Sequence, residues 1–247
     1  MGQGLVYSVD GSIFLNFEGE EKLIARRSEP VCGLELHNAR LYDGGRAGIF
    51  DTIKGERILK RMTLDLCSHE ERLYGCCCGQ WNGEIFDALT GEVAVSRGSG
   101  DRFDDLPSTI MGREVKDEGF GGTKSLCSYN GRLIEVNEFG NIIDSFANKQ
   151  LIGGHNKEII GKCEDTLYCY NDQRRVIEEV YSGKELASRK YTVLKLREHE
   201  GRLYDASHSG KITETLNDKV IVKKNHWVTS LCSVNEKIAE DILSKVA

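Results

Sequence analysis

The segment RLYDGGRAGIFDTIKGE, residues 40–56, contains the pattern that decides the fold. An Arg-Leu-Tyr triplet is followed by a glycine turn, by Ile-Phe-Asp and by a Gly-Glu turn. Outward from this segment, the triplet or a relative of it recurs at residues 72, 132, 166 and 202. Isoleucines equivalent to Ile49 stand at positions 13, 85, 142, 177 and 212, each followed six residues later by a turn residue. All but one of the spacings are 35 or 36 residues, so the chain consists of six repeated units.

The repeated unit is typical of short β-strands. Its segments are four to six residues long, are enriched in β-branched and aromatic residues, and alternate with a period of two, as in Leu64-Asp65-Leu66-Cys67-Ser68. Four strands fit each unit, beginning with an inner strand such as residues 123–129. Radial packing of four-stranded antiparallel units buries both faces of every sheet. The sequence therefore predicts an all-β fold, a six-bladed β-propeller of four-stranded antiparallel blades.

The two ends of the chain predict how the ring closes. Residues 5–26 supply only the last three strands of a unit, while residues 228–233 repeat the pattern of a first strand. We expect the C-terminal strand to pair with the N-terminal strands, because this pairing removes an open sheet edge. Apolar residues at helical spacing then predict a short C-terminal helix within residues 235–247. The alternative is that the last strand continues through Ile238.

The units resemble WD40 repeats over nearly the whole chain. Ile49-Phe50-Asp51 with Gly55-Glu56, and Ile85-Phe86-Asp87 with Gly91-Glu92, resemble the end of that repeat with Phe in place of Trp. The units are shorter than the 40 to 45 residues of the family, and Trp-Asp never occurs. The related quinoprotein-like repeats also end with Asp-x-x-x-Gly, so the resemblance is to the WD40/quinoprotein-like superfamily of β-propellers.

The resemblance also implies two hydrogen-bonded pairs. Gly154-His155 and Asn225-His226 resemble the Gly-His entry to the inner strand of a WD40 repeat. In that family the histidine bonds an aspartate in a later turn, which implies pairs of His155 with Asp172 and of His226 with Asp10. We expect both histidines to be structural.

Composition and charge restrict the possible partners and compartment. The 33 Lys and Arg residues are outnumbered by 39 Asp and Glu, a net charge of -6, so we expect no direct nucleic-acid binding. The N-terminus has no signal-peptide pattern and no stretch approaches 18 apolar residues, so no membrane association is expected. Nine cysteines without a C-x-x-C pair indicate free thiols in the cytoplasm.

Motifs for catalysis are not assembled in this sequence. Residues 119–125, GFGGTKS, approach a phosphate-binding loop, but Thr123 interrupts the required Gly-Lys-Ser and a strand follows instead of a helix. No G-x-S-x-G motif occurs. Neither an enzymatic activity nor a cofactor is expected.

One irregularity in the repeat predicts a binding surface. Residues 1–247 are interpreted as a single β-propeller domain with a loop insertion at about 97–122, and residues 75–83 enlarge a turn of the same blade. Both loops open on one face of a propeller, and insertions often lie at the binding face. We expect a protein partner to bind residues of these loops and one neighbouring turn: Trp81, Asn82, Arg97, Arg102, Phe103, Asp104, Asp105, Arg113 and Arg46.

The alternative is a small-ligand- or metal-binding propeller, or an enzyme, that uses the mouth of the central channel. His37, His69 and His199 occupy one equivalent position at the ends of inner strands, on the face opposite the insertion. Imidazoles that converge on an axis can bind a metal. Cys67, Cys127 and Cys232 also share a position, where we expect packing in the core. The preferred prediction is a monomeric, non-catalytic protein-interaction scaffold.

Overall fold

The computed structural model describes residues 3–77, 83–96, 109–110, 113–114, 122–153 and 156–246. The strands follow one another along the chain in groups that each form one antiparallel sheet. The first three strands are β1 (Gln3–Val9), β2 (Ser12–Phe17) and β3 (Glu20–Arg26). Blade 2 contains β4 (Val31–His37), β5 (Arg40–Gly45), β6 (Gly48–Asp51) and β7 (Arg57–Leu59).

Blade 3 has two strands more than its neighbours. Its regular strands are β8 (Asp65–His69), β9 (Arg72–Cys77), β10 (Glu84–Asp87) and β11 (Val93–Ser96). Within the insertion, β12 (Thr109–Ile110) and β13 (Arg113–Glu114) form a short hairpin that continues this sheet outward. The hairpin covers the edge of β11, which is the outermost strand of a regular blade.

The remaining strands complete the repeat. Blade 4 contains β14 (Thr123–Tyr129), β15 (Arg132–Asn137), β16 (Ile142–Asp144) and β17 (Lys149–Ile152). Blade 5 contains β18 (Lys157–Cys163), β19 (Thr166–Asn171), β20 (Val176–Glu179) and β21 (Glu185–Ser188). Blade 6 contains β22 (Val193–His199), β23 (Arg202–Ser207), β24 (Lys211–Glu214) and β25 (Lys219–Lys223).

The last strand, β26 (Val228–Asn235), closes the ring. It pairs antiparallel with β1, in a register that sets Leu231 opposite Tyr7, and so completes blade 1. Each inner strand packs against the next around the axis, from β26 to β4, β8, β14, β18, β22 and back to β26. The predicted six-bladed β-propeller and its closure by the C-terminal strand are confirmed. Blades 3 and 6 are opposite each other in this ring.

A single helix, α1 (Glu236–Lys245), follows β26. Asn235 caps it, since its side-chain oxygen accepts a hydrogen bond from the Ile238 N–H at 3.0 Å. Ala239 and Ile242 are buried in the same apolar cluster as Val234 and blade 1. The predicted C-terminal helix is confirmed, and the alternative of a strand through Ile238 is wrong because the cap ends the strand at Asn235.

The core lies between neighbouring blades. Every inner strand carries a fully buried aliphatic side chain at one equivalent position: Leu34, Leu66, Leu126, Ile160, Leu196 and Leu231. Burial of each such side chain contributes about 1.5–3 kcal/mol. Because the same position is repeated six times, the inner strands are held at one depth around the axis.

The close approach of two inner strands depends on a glycine. A Cβ atom at Gly161 of β18 would lie 2.6 Å from the Leu196 Cβ and 2.8 Å from the Leu196 carbonyl oxygen of β22. Such distances are shorter than van der Waals contact, so a larger residue there would push blades 5 and 6 apart.

We expect Gly161→Ala to reduce the free energy of unfolding by about 1–3 kcal/mol, because the added methyl group overpacks the interface. Chemical denaturation measures the change. Gly153→Ala is the control, since a Cβ there meets only the flexible end of Gln150 and the substitution restricts the unfolded chain. Equal destabilisation by both substitutions would contradict the steric explanation.

Candidate functional site

The topology defines two ends of the central channel. All six inner strands point the same way along the axis, because every blade repeats one strand order. The turns that follow the inner strands form one end, which we call the hairpin face. The loops that enter the inner strands, together with the turns between second and third strands, form the opposite end, which we call the loop face.

The middle of the channel is occupied by a salt bridge between opposite blades. Lys195 of β22 pairs through Nζ with a carboxylate oxygen of Asp65 of β8. Relative exposure of these residues is 2% for Lys195 and 1% for Asp65. Two charges this deeply buried require mutual neutralisation and further hydrogen bonds to be tolerated.

Asp65 receives those further hydrogen bonds from two inner strands. Its Oδ1 accepts from its neighbour, the Leu66 N–H, at 2.8 Å. Its Oδ2 accepts from the Leu126 N–H and from the Ser125 hydroxyl of blade 4, both at 3.1 Å. The carboxylate therefore joins blades 3, 4 and 6 at the axis.

A second ion pair lies beside the first one. Arg197 Nη2 is 3.2 Å from Glu35 Oε2 of blade 2 and donates to the Leu66 carbonyl oxygen at 3.1 Å. The Ser68 N–H donates to Glu35 Oε1 at 3.1 Å. Burial raises the pKa of Glu35, and the Arg197 charge opposes that shift. The two pairs together close the channel with balanced charge.

Between these ion pairs and the hairpin face lies a cavity of about 340 Å³. Its wall includes the thiols of Cys67, Cys127 and Cys232, which are buried as the sequence predicted. Burial raises the pKa of Cys127 to about 11 and that of Cys232 to about 12. The thiols therefore stay protonated near neutral pH, and a protonated thiol is a weak nucleophile.

The three equivalent histidines connect neighbouring blades near this cavity. Nδ1 of each is 2.9 Å from a serine hydroxyl of the next inner strand, in the pairs His37–Ser68, His69–Ser128 and His199–Ser233. In His37, Nε2 faces the amide nitrogen of Asn38 at 3.0 Å, which can only donate. In the neutral ring, Nδ1 of His37 then carries the hydrogen and donates a hydrogen bond to the Ser68 hydroxyl.

This arrangement differs from a metal centre. Each ring is engaged with the adjacent blade at Nδ1, and the described residues form no group of three or more His, Cys, Asp or Glu that could hold a metal ion. The serines that complete these contacts were not singled out from the sequence. Their signal is Ser68, Ser128 and Ser233 at one repeated position of the inner strand.

Two buried arginine–aspartate pairs were also missed from the sequence. Arg27 donates from Nε and Nη2 to Asp43 of the next blade at 2.8 and 2.7 Å. Arg189 donates to Asp205 in the same way from Nε and Nη2, and the shortest distance, from Nη2 to Oδ1, is 2.6 Å. In both pairs the arginine precedes a Leu-Tyr-Asp triplet so that the partners are 16 residues apart. That repeated spacing is a signal for a contact between blades.

The described part of the loop face carries exposed aromatic side chains. The Trp227 ring stacks on His208 with 4.1 Å between centroids, and 57% of Trp227 is exposed. Tyr191, at 44% exposure, precedes Thr192, whose carbonyl oxygen accepts from the His208 N–H at 3.1 Å. These residues belong to three loops that meet at the end of blade 6.

The structure tests little of the predicted partner-binding surface. Arg46 is exposed in the turn between β5 and β6, on the loop face. The backbone of Arg113 belongs to β13, at the outer edge of blade 3. The other residues of that prediction lie outside the described part of the chain: Trp81, Asn82, Arg97, Arg102, Phe103, Asp104 and Asp105.

Of the two histidine–aspartate pairs implied by the resemblance, that of His155 with Asp172 stays a prediction, because His155 lies outside the described residues. Asp172 accepts from the Thr192 hydroxyl at 3.3 Å. His226 is exposed, and within the described chain no hydrogen bond joins it to Asp10. Closure of the blade is carried by β-pairing of β26, which does not need the entry histidine.

Comparison with known proteins supports the fold. No family model and no curated protein sequence matches the chain. Among solved structures, it is similar to a chain of a nidogen/laminin complex, with a TM-score of 0.67, 10% identity, and coverage of 94% of this chain and 98% of that chain. It is also similar to the WD40 β-propeller domain of Doa1, with a TM-score of 0.59, 10% identity, and coverage of 83% and 86%. The fold is thus that of a β-propeller. No helix in the described residues is long and apolar enough to span a membrane.

Because Lys195 and Asp65 pair at the axis, we expect the effects of substituting them on unfolding free energy to be non-additive. Lys195→Met should cost about 3–5 kcal/mol of unfolding free energy, because it leaves the buried Asp65 carboxylate with only Arg197, at 3.8 Å, as a counter-charge. In the Lys195→Met/Asp65→Asn double variant, most of that loss should be recovered, since the amide removes the charge. Urea denaturation of the variants measures the coupling, and additive losses would argue against a paired axis.

The histidine–serine contacts predict how stability depends on pH. Burial lowers the pKa of His37, His69 and His199 in the folded chain. The unfolded chain, with histidine pKa values near 6.5, then binds more protons, so stability should fall as pH decreases below about 6.5.

The His37→Asn/His69→Asn/His199→Asn variant should lose less stability between pH 7.5 and 5.5 than the wild type, because an amide keeps the hydrogen bond without titrating. Thermal melts at both pH values give the comparison. Carboxyl groups with raised pKa, such as Glu35, are the same in both proteins and cancel. An unchanged difference in Tm would exclude these histidines as the source.

Proposed function

We propose that this protein is a non-catalytic scaffold that holds a protein partner on its loop face. The observation that carries the proposal is Trp227, which is more than half exposed although it stacks on His208. Tryptophan and tyrosine dominate the energetics of protein interfaces, since their rings bury large areas and retain few rotatable bonds. Trp227 and Tyr191 thus have the properties of interface anchors.

The backbone around these anchors is held in place by the fold, which favours binding of a partner. Trp227 lies one residue before β26, the strand that closes the ring, and His208 is held to the backbone of Thr192. Anchors on a rigid frame lose little conformational freedom on binding, so more of the contact energy contributes to affinity. The partner surface predicted from the sequence, which includes Trp81 and Arg102, belongs to blade 3 and stays a separate prediction.

The interior of the channel gives less support to the alternative of an enzyme or a small-ligand binder. The axis is filled by the Lys195–Asp65 and Arg197–Glu35 pairs. Thiols at its hairpin end stay protonated because burial raises their pKa, as in Cys232. Side chains whose charges are paired with each other hold the blades together. A catalytic site, in contrast, needs a group that is free to react with a substrate.

The test is affinity purification of the tagged chain from its native organism. We expect Trp227→Ala/Tyr191→Ala to reduce recovery of the specific partner at least tenfold, because losing an interface anchor costs 2 kcal/mol or more. A Trp81→Ala/Arg102→Ala variant tests the predicted surface in the same experiment. Leu216→Ala is the control, since Leu216 is exposed in a turn of the hairpin face.

Circular dichroism of each variant establishes that it is folded. Equal recovery of the same partners by the wild type and by both loop-face variants would overturn the scaffold proposal. Loss caused only by Leu216→Ala would place the interface on the other end of the molecule.

A further inference from the structure

We propose that the loop face at blade 6 binds an acidic, apolar-anchored segment of the partner protein. This surface, which we call the blade 6 patch, is defined by Trp227, Tyr191, His208 and the cations Arg175, Lys190, Lys211 and Lys223. The inference rests on the proposed scaffold function and specifies the chemistry of what is held. It is drawn from the charges that surround the exposed rings.

The cations of the patch lie at the loop-face ends of neighbouring strands. Lys211 begins β24 and Lys223 ends β25, and the two residues are directly opposite each other in the ladder. Lys190 lies in the loop before β22, where its ammonium group is 5.6 Å from the centroid of the Tyr191 ring. Arg175, in a turn of blade 5, donates from Nη1 to the Lys190 carbonyl oxygen at 2.6 Å.

These four cations have no ion pair among the described residues, as is also true of exposed basic residues elsewhere such as Lys184. Close by, Lys224 pairs with Glu21, Arg189 with Asp205, and Arg174 with Glu178. What distinguishes the four cations is their position beside exposed rings, where blades 5 and 6 meet at the loop face. The chain as a whole has 39 acidic residues against 33 basic ones, so this cluster of unpaired positive charge is a local feature.

The arrangement also has a cost for the folded chain. Like charges directly opposite each other in an antiparallel pair are destabilising, as for Lys211 and Lys223. The Asp172 carboxylate, whose charge acts on His208, accepts from the Thr192 hydroxyl at 3.3 Å and forms no ion pair with these lysines in the described chain. A partner carboxylate placed between the two lysines would offset the repulsion between their ammonium groups. Binding would then be favoured both by the loss of this repulsion and by the attraction to the carboxylate.

The rings beside the cations specify an apolar anchor in the partner. His208 covers one face of Trp227 by stacking, which leaves the other face and the ring edge exposed. Burial of apolar surface against that ring supplies affinity, while the surrounding lysines select acidic neighbours. The complementary segment thus has carboxylates on both sides of an aromatic or aliphatic residue.

A protein segment fits the patch better than a nucleic acid does. Strand-binding proteins track the phosphate backbone with a basic groove several nucleotides long. The chain has a net charge of -6, so a longer polyanion would meet repulsion beyond the patch. A short acidic segment with an apolar anchor avoids that repulsion.

The experiment is a random dodecapeptide display selection on the immobilised full-length chain, followed by fluorescence anisotropy with the selected peptides. We expect peptides enriched in Asp and Glu around an apolar residue. Their affinity should fall at least tenfold on Lys190→Glu/Lys223→Glu and should fall between 50 and 300 mM salt, because charge attraction is screened. The charge-matched control Lys184→Glu/Lys237→Glu, at exposed positions on other surfaces, should bind as the wild type does.

Selection of peptides without acidic enrichment, equal binding to both double variants, or failure to select any binder would overturn the inference. Labelled (dT)15 is tested in parallel, and its tight, Lys190- and Lys223-dependent binding would assign the patch to nucleic acid instead. These outcomes are separate from the scaffold proposal. If a native partner still depends on Trp227 but not on Lys190 and Lys223, the scaffold stands and the acidic partner does not.

Discussion

The burial of opposite charges at the axis is the constraint on which the rest of the structure depends. Six inner strands converge there, and two of them bring deeply buried opposite charges: Asp65 from β8 and Lys195 from β22. A buried carboxylate without a partner would disfavour the folded chain by several kcal/mol. The blades must therefore meet in one register that places opposite charges together. The aliphatic positions that include Leu66 and Leu196 contribute buried apolar surface, whereas the ion pairs determine which arrangement is accepted.

Because ion pairs occupy the middle of the channel, a binding partner would contact one of the two ends of the ring. At the hairpin face, histidine–serine hydrogen bonds such as His69–Ser128 hold neighbouring inner strands, and α1 packs over blade 1. At the loop face, Trp227 stacks on His208 and still leaves more than half of its surface exposed. Lys190 lies beside the Tyr191 ring and has no ion pair in the described chain. Exposed aromatic rings next to unpaired cations make this end the better candidate for holding a partner.

Much of the fold could be predicted because repetition is visible in one sequence. Equivalent positions such as Leu41 and Leu203 recur with the same neighbours, so strand order and ring closure follow from the period. The axial ion pair could not be found in that way, since Lys195 and Asp65 are 130 residues apart and their equivalents in other blades are Gly33, Ser125 or Ile159. Contacts made once, across the ring, leave no periodic signal. The loop-face prediction at blade 3 relied on insertion length, while the blade 6 patch lies in loops of ordinary length.

Departures from the repeat have two different physical meanings in this molecule. Asp65 and Lys195 depart from their sister positions but satisfy each other, so the pair acts as an internal lock. Lys211 and Lys223 face each other without a carboxylate in the described chain between them, so this departure remains uncompensated until something binds. A fold that neutralises even its most buried charges with several hydrogen bonds has the means to pair half-buried Lys211 and exposed Lys223. That it leaves them adjacent to an exposed tryptophan, on the end of the ring where the closing strand begins, is best explained by a negative charge supplied from outside.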